Sequence, residues 1–332
     1  MSDPNSSAAP HHPQPFDDVD RNPGSSKPDP ILIADNVTRT FGGVQAVNVA
    51  HLEIQRGCIT GLIGPNGAGK TTLFNLLTGF DKADTGSWTV NGAATSQLPA
   101  YKVARQGMVR TFQLTKALSK LTVLDNVRLG ATGQTGERML GALMPWTWRR
   151  QEAEITERAY AMLERFKLDT KADDLAGSLS GGQRKLLEMA RALMTNPEIV
   201  MLDEPMAGVN PALTQSLLGH IKSLRDEGMT VVFVEHDMDV IRDVSDWVVV
   251  MAQGSIIAEG PPSELSNNSA VVDAYLGSHH DKPLEFDDDG NPVGETAEMV
   301  AEMESELVET LEAGGDLSAG PESTSTHRRD DR

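Results

Sequence analysis

One cysteine, Cys58, stands in 332 residues. No intramolecular disulfide can staple the fold, and Cys58, at the head of an apolar run, reads as a small core residue in a reducing compartment. No stretch approaches the roughly 18 apolar residues of a membrane-spanning helix. The first residues also lack the apolar centre of a secretory signal. The expectation is a soluble, cytosolic chain that reaches a membrane only through a partner. Basic residues are scarce: 29 Lys and Arg face 48 Asp and Glu, a net charge of −19. The excess is uneven, because residues 278–332 carry −12 and residues 1–27 carry −2, which leaves −5 for residues 28–277. A middle of that near-neutral character gives no electrostatic case for binding nucleic acid, whose phosphates require a basic face.

Apolar residues are also scarce at both ends. Residues 1–27 are rich in Ser, Pro, Asn and Asp, too polar to offset the entropy of ordering, and read as a disordered tail. Residues 278–332 read as an acidic, mostly disordered tail. Within it Met299, Val300, Met303, Leu307 and Leu311 fall near helical spacing. That stripe is narrow and set among mutually repelling glutamates, so a solvated tail is favoured over a docking helix.

What the chain does have is Gly64-Pro65-Asn66-Gly67-Ala68-Gly69-Lys70-Thr71, which fits G-x-x-x-x-G-K-[ST]. Cys58 to Ile63 ahead of it is strand-like, and Thr72 to Leu77 behind it is apolar at helical spacing, the order such a loop requires. Glycines let successive backbone N–H groups converge on phosphates, the helix N-terminus adds its positive end, Lys70 reaches the β and γ phosphates, and the Thr71 hydroxyl can ligate magnesium.

Strands are expected over 31–36 and 46–54. Between them Phe41 is either a core residue or a flat face on which adenine could stack. Trp88-Thr89-Val90 closes at Asn91-Gly92, a hairpin signal that places an antiparallel sheet beside the nucleotide site. After the strand-like Val109-Arg110-Thr111-Phe112-Gln113, residues 121–177 read as a helical insertion. In it Ala153, Ile155, Ala159, Met162, Leu163 and Phe166 mark an apolar face, and Trp146 and Trp148 are read as local packing rather than a partner surface. Leu179-Ser180-Gly181-Gly182-Gln183 opens a helix over Arg184 to Thr195, with Leu187, Met189, Ala190, Leu193 and Met194 inward, and offers a second phosphate-competent helix N-terminus. Ile199 to Glu204 is a doubly buried strand ending in two carboxylates. Asp203 is placed to hold magnesium and Glu204 to orient or deprotonate the attacking water. A helix over Pro211 to Asp226, a strand over Thr230 to Glu235, His236 at that strand's carboxyl end, a hairpin around Gln253-Gly254 and a helix over Ala270 to Leu276 continue the alternation of a parallel sheet.

With the phosphate loop, Gln113, Leu-Ser-Gly-Gly-Gln, the Asp203-Glu204 strand and His236 in that order, residues 30–277 resemble the ATP-binding subunit of an ABC transporter. The fold that this implies is α/β: a P-loop NTPase ABC cassette over 28–277 with a parallel-sheet core, an antiparallel β subdomain and a helical subdomain over about 114–195. The resemblance further implies a head-to-tail dimer, with itself or a paralogous subunit. ATP held by Gly64 to Thr72 of one subunit would be capped by Ser180, Gly181, Gly182 and Gln183 of the other. By the same resemblance Phe41 stacks on adenine, Thr71, Gln113 and Asp203 attend Mg2+, Gln113 couples to the membrane subunit, Glu204 is the general base and His236 contacts the γ phosphate. Arg110-Thr111-Phe112-Gln113, Ala207-Gly208-Val209-Asn210-Pro211, Glu235-His236-Asp237-Met238 and Ala274-Tyr275-Leu276-Gly277 look like the importers of branched-chain amino acids. Such a subunit sits at the cytoplasmic face of the membrane on two permease subunits, served indirectly by an external solute-binding protein. Importers of urea or short amides and lipopolysaccharide-export systems are the near alternatives, a soluble non-transport ABC ATPase the more distant one. Asn210 departs from the aspartate usual at its position.

Overall fold

The computed structural model describes residue 16 and residues 18–111, 118–133, 145–235, 237–265 and 268–277. All belong to one compact unit, Met1–Ser278. The acidic tail with its candidate helix, Gln113 and His236 lie outside the described residues, as do the side chains of Trp146 and Trp148.

In chain order the elements are β1 (Pro30–Phe41), β2 (Val44–Gln55), β3 (Ile59–Ile63), α1 (Lys70–Leu77), β4 (Thr85–Val90), β5 (Ala93–Ala94), α2 (Ala100–Arg105) and β6 (Met108–Arg110). They continue with α3 (Val123–Arg128), α4 (Pro145–Arg165), α5 (Gly181–Leu193), β7 (Ile199–Asp203), α6 (Pro211–Asp226), β8 (Thr230–Val234), α7 (Met238–Val244), β9 (Trp247–Ala252), β10 (Ser255–Gly260), α8 (Pro262–Leu265) and α9 (Ser269–Gly277). The larger sheet has the order β10-β9-β3-β8-β7-β6 and is parallel from β9 to β6. The smaller, β2-β1-β4-β5, is antiparallel throughout, and its expected hairpin turns through Asn91 and Gly92 with φ of 51° and 74°, as a two-residue turn of matching twist requires.

Strands β3, β7 and β8 are buried at every residue, because both faces of the larger sheet are covered. Period-two alternation sends Val200, Leu202, Val231 and Phe233 into a core shared with α3 to α6. Ile199, Met201, Val232 and Val234 go to the other face, into a core shared with α1 and the antiparallel sheet. Cys58 joins that second core, and burial, helped by the charge of Asp246, pushes its thiol up to about 12. Of the face expected on α4, Ile155, Ala159, Leu163 and Phe166 are buried and Met162 packs at the edge. Ala153 is exposed instead, since residues two apart on a helix lie about 200° around the axis. No helix among the described residues is long and apolar enough to cross a membrane.

Of the N-terminal segment expected to be disordered, residue 16 and residues 18–27 are described and are ordered against the sheet. Phe16 and Val19 are buried, and Phe16 stacks on Trp247 with ring centroids 4.6 Å apart. Lys27 pairs with Glu259 at 3.0 Å, each side chain 1% exposed. Glu259 also accepts from the Ser25 amide at 2.6 Å and from the Trp247 indole N–H at 2.9 Å. Overall composition hides this strap, because a few anchors suffice where the sheet already offers a ring and a carboxylate to receive them.

Candidate functional site

The register aligns Leu62 with Val234 and Val234 with Asp203. The loops leaving β3, β7 and β8 therefore emerge at one edge of the sheet, the carboxyl edge at which ligands of open α/β sheets bind.

After β3, Gly64 and Gly69 adopt φ of 148° and 97°. A Cβ on Gly64 would lie 2.0 Å from the Met251 carbonyl oxygen and one on Gly69 2.2 Å from that of Ala46, so only glycine lets the loop lie this close to β9 and β2. Around Gly67 a Cβ would meet nothing within 4 Å, and the crown of the loop is open. The α1 N-terminus has no side-chain cap, which leaves its first-turn amides suited to an anion. The Lys70 ammonium donates to the carbonyls of Gly64 at 2.7 Å and Pro65 at 3.0 Å. Burial lowers its pKa, while the charges of Glu204 and Asp203 act to raise it. Phe41 ends β1 at the tip of the hairpin whose other arm passes Gly69. Its ring is 46% exposed, with the Arg39 guanidinium 4.5 Å over it.

Asp203 ends β7 with its side chain 4% exposed and its Oδ2 2.5 Å from Nη2 of Arg110. Glu204 follows with φ of 46°. That left-handed conformation costs a non-glycine residue about 1 kcal/mol or more, and its surroundings hold it. The Glu204 amide donates to the Val234 carbonyl at 3.0 Å, and Lys185 of α5 donates to the carbonyls of Glu204, Pro205 and Ala207 at 3.3, 2.9 and 2.6 Å.

Helix α5 begins at Gly181, three residues before its expected start, because Ser180 and Gln183 form a reciprocal capping box. The Gln183 amide donates to Ser180 Oγ at 3.3 Å, and the Ser180 amide to Gln183 Oε1 at 3.0 Å. A Cβ on Gly182 would come 1.7 Å from Leu213 Cδ2, so α6 closes against it, whereas one on Gly181 would meet nothing within 4 Å. Asn210 caps α6 by accepting from the Leu213 amide at 2.9 Å, a role Asn fills as well as Asp.

The structure thus brings the phosphate loop with Lys70, Thr71 and Thr72 together with Asp203 and Glu204, and links Glu204 to the helix of Ser180 to Gln183 through Lys185. The residue chemistry fits a magnesium nucleotide: an open glycine cradle and ammonium for phosphate, a buried carboxylate and the Thr71 hydroxyl for the cation. Sequence reading missed Arg110, Asn75 and Lys185 as parts of this site. Each lies within three residues of an expected site residue, Arg110 before Gln113, Asn75 after Thr72 and Lys185 after Gln183, but that proximity does not say which partner the side chain meets.

Residues 47–207 match the family model described as ABC transporter, and residues 255–281 match that of the branched-chain amino acid ATP-binding cassette transporter. The chain is 42% identical over 248 residues to the probable branched-chain amino acid transport ATP-binding protein LivG of Archaeoglobus fulgidus, covering 75% of this chain and 96% of that one. It is 41% identical over 250 residues to the high-affinity branched-chain amino acid transport ATP-binding protein BraF of Pseudomonas aeruginosa, covering 75% and 98%. Among solved structures it is similar to the ADP conformation of an ATP-binding cassette of an ABC transporter, with a TM-score of 0.64 and 37% identity over 75% of this chain and 99% of that one.

Proposed function

Because this chain belongs to the ATP-binding cassettes of ABC transporters, we propose that it is the ATP-hydrolysing subunit of an importer of branched-chain amino acids or related small polar solutes. It works at the cytoplasmic face of the membrane on two separate permeases, which an external binding protein supplies.

The observation that carries this reading is the convergence of Lys70, Asp203 and Glu204 at one sheet edge. Lys70 and the backbone N–H groups of the Gly64 to Thr72 loop, Pro65 having none to give, hold the triphosphate, and Phe41 stacks on adenine. Thr71, Asp203 and Gln113 are the residues that would hold Mg2+, and the bound ion would neutralise charge on the phosphates. Glu204, whose backbone is held by Lys185 and by the Val234 carbonyl, takes the proton of the attacking water, and His236 is the residue we assign to the γ phosphate. Exposed Phe80, Tyr101 and Leu129 line, together with Thr111, a cleft of about 540 Å³, and Gln113 lies two residues beyond Thr111 in the sequence. This supports coupling to a permease through an apolar contact there.

Glu204→Gln is expected to bind ATP, trap a dimer in gel filtration with ATP and magnesium, and lower turnover by roughly 100-fold or more, whereas Lys70→Ala loses binding. Hydrolysis by Glu204→Gln at the unsubstituted rate would remove the assigned role. Copurified permeases in liposomes identify the solute by the compound that stimulates ATPase activity.

A further inference from the structure

We propose that Arg110 is a positioning residue that aims the Asp203 carboxylate at magnesium and ties it to the phosphate-loop helix. The inference rests on the reading of Asp203 as a magnesium ligand.

Arg110 is the last residue of β6, paired with Met201 of β7, and the Thr111 amide donates to the Met201 carbonyl at 3.0 Å. This places its side chain one strand across from Asp203. Its guanidinium forks. Nη2 meets Asp203 Oδ2 at 2.5 Å and Nη1 donates to Asn75 Oδ1 at 2.5 Å. Asn75 lies on α1, the helix that starts with Lys70 and Thr71. One planar group therefore joins the strand that carries the cation's carboxylate to the helix that carries its hydroxyl ligand. The rings of Phe74 and Phe80, with centroids 5.7 and 6.0 Å from the guanidinium carbon, flank it, and the Arg110 and Asp203 side chains are each 4% exposed.

A buried ion pair is poor value as a stabiliser, because desolvation offsets most of its attraction. A rigid fork between two elements of a metal site does something an apolar pair could not: it fixes the rotamer of a ligand. Arg110 engages one carboxylate oxygen, and a carboxylate has a second with which to face a cation. Lysine has no planar fork and could not serve both acceptors in the same way.

The test is a titration of the full chain with magnesium, read as binding of a fluorescent ATP analogue, with a parallel measurement in EDTA. Arg110→Met keeps the apolar stem and removes the fork. It is expected to raise the half-saturating magnesium concentration about 10-fold or more, the usual effect of removing a partner of a metal ligand, while affinity in EDTA stays within about 2-fold. Arg110→Lys should recover part of the shift. Should Arg110→Met fail to fold, Asn75→Ala, which leaves the ion pair in place, should move the magnesium midpoint in the same direction by less. Asp203→Asn separates the two readings. If it leaves the midpoint unmoved, the magnesium assignment fails. If Asp203→Asn moves the midpoint and Arg110→Met does not, or Arg110→Met lowers only affinity in EDTA and melting temperature, the positioning role is overturned.

Discussion

His51 shows how charge placement away from the nucleotide site sets a pH response. Its Nδ1 lies 2.6 Å from Asp35 Oδ1 and its Nε2 3.1 Å from Glu53 Oε1, while Glu53 Oε2 accepts from the Lys27 amide at 2.6 Å. Burial acts to lower the imidazole pKa, but the bonds and charges of Asp35 and Glu53 outweigh it and raise the value above 6.5. The folded chain therefore holds this proton more tightly than the unfolded one. The stabilisation is fully present below the unfolded pKa and is lost as pH rises through the folded value. Urea midpoints across roughly pH 6 to 8 should fall with rising pH, and His51→Gln should flatten that slope. Parallel curves for the two proteins would show that the imidazole carries no net linkage.

At the scale of elements, the N-terminal strap contains an internal contrast in the worth of ion pairs. Lys27 and Glu259 meet with 1% of each side chain exposed, whereas Arg21 and Glu264 meet at 2.9 Å with 38% and 51% exposed. Lys27→Ala leaves a buried carboxylate short of its cation and should cost roughly 3 to 5 kcal/mol, lowering the melting temperature by on the order of 10 °C. Glu264→Ala should cost less than about 1 kcal/mol. Equal melting shifts in the two variants would mean that the strap is not anchored through Lys27. The strap also shows where the sequence is opaque. The phosphate loop, the Asp203-Glu204 strand and the Asn91-Gly92 turn are legible because each is a contiguous run whose spacing is its mechanism. Strand alternation and the inner faces of α4 and α5 are legible for the same reason, with Ala153 as the exception. The stacking of Phe16 on Trp247, the hold of Lys185 on the Glu204 loop and the Arg110 fork all join residues far apart in sequence. They exist only because particular elements become neighbours in the fold, and no local pattern encodes that adjacency.

At the scale of the whole molecule, two helix N-termini among the described residues are suited to phosphate, at Lys70 and at Gly181, and the second opens on a glycine with space beside it. Were two cassettes paired head to tail, as we propose, the second terminus would have a use: Ser180, Gly181 and Gly182 of one copy would close over the nucleotide held by Lys70 of the other. The arrangement has a stoichiometric consequence. In a dimer of one Lys70→Ala chain and one Ser180→Arg chain, both lesions fall on the same composite site and the other site is intact. A dimer in which both chains carry both substitutions has no intact site. Differently tagged chains, coexpressed and isolated by two affinity steps, should therefore retain a substantial share of ATPase activity in the mixed dimer and close to none in the doubly substituted one. If each site instead used the Ser180 of its own chain, the mixed dimer would contain two damaged sites, and its activity would fall to that of the doubly substituted protein.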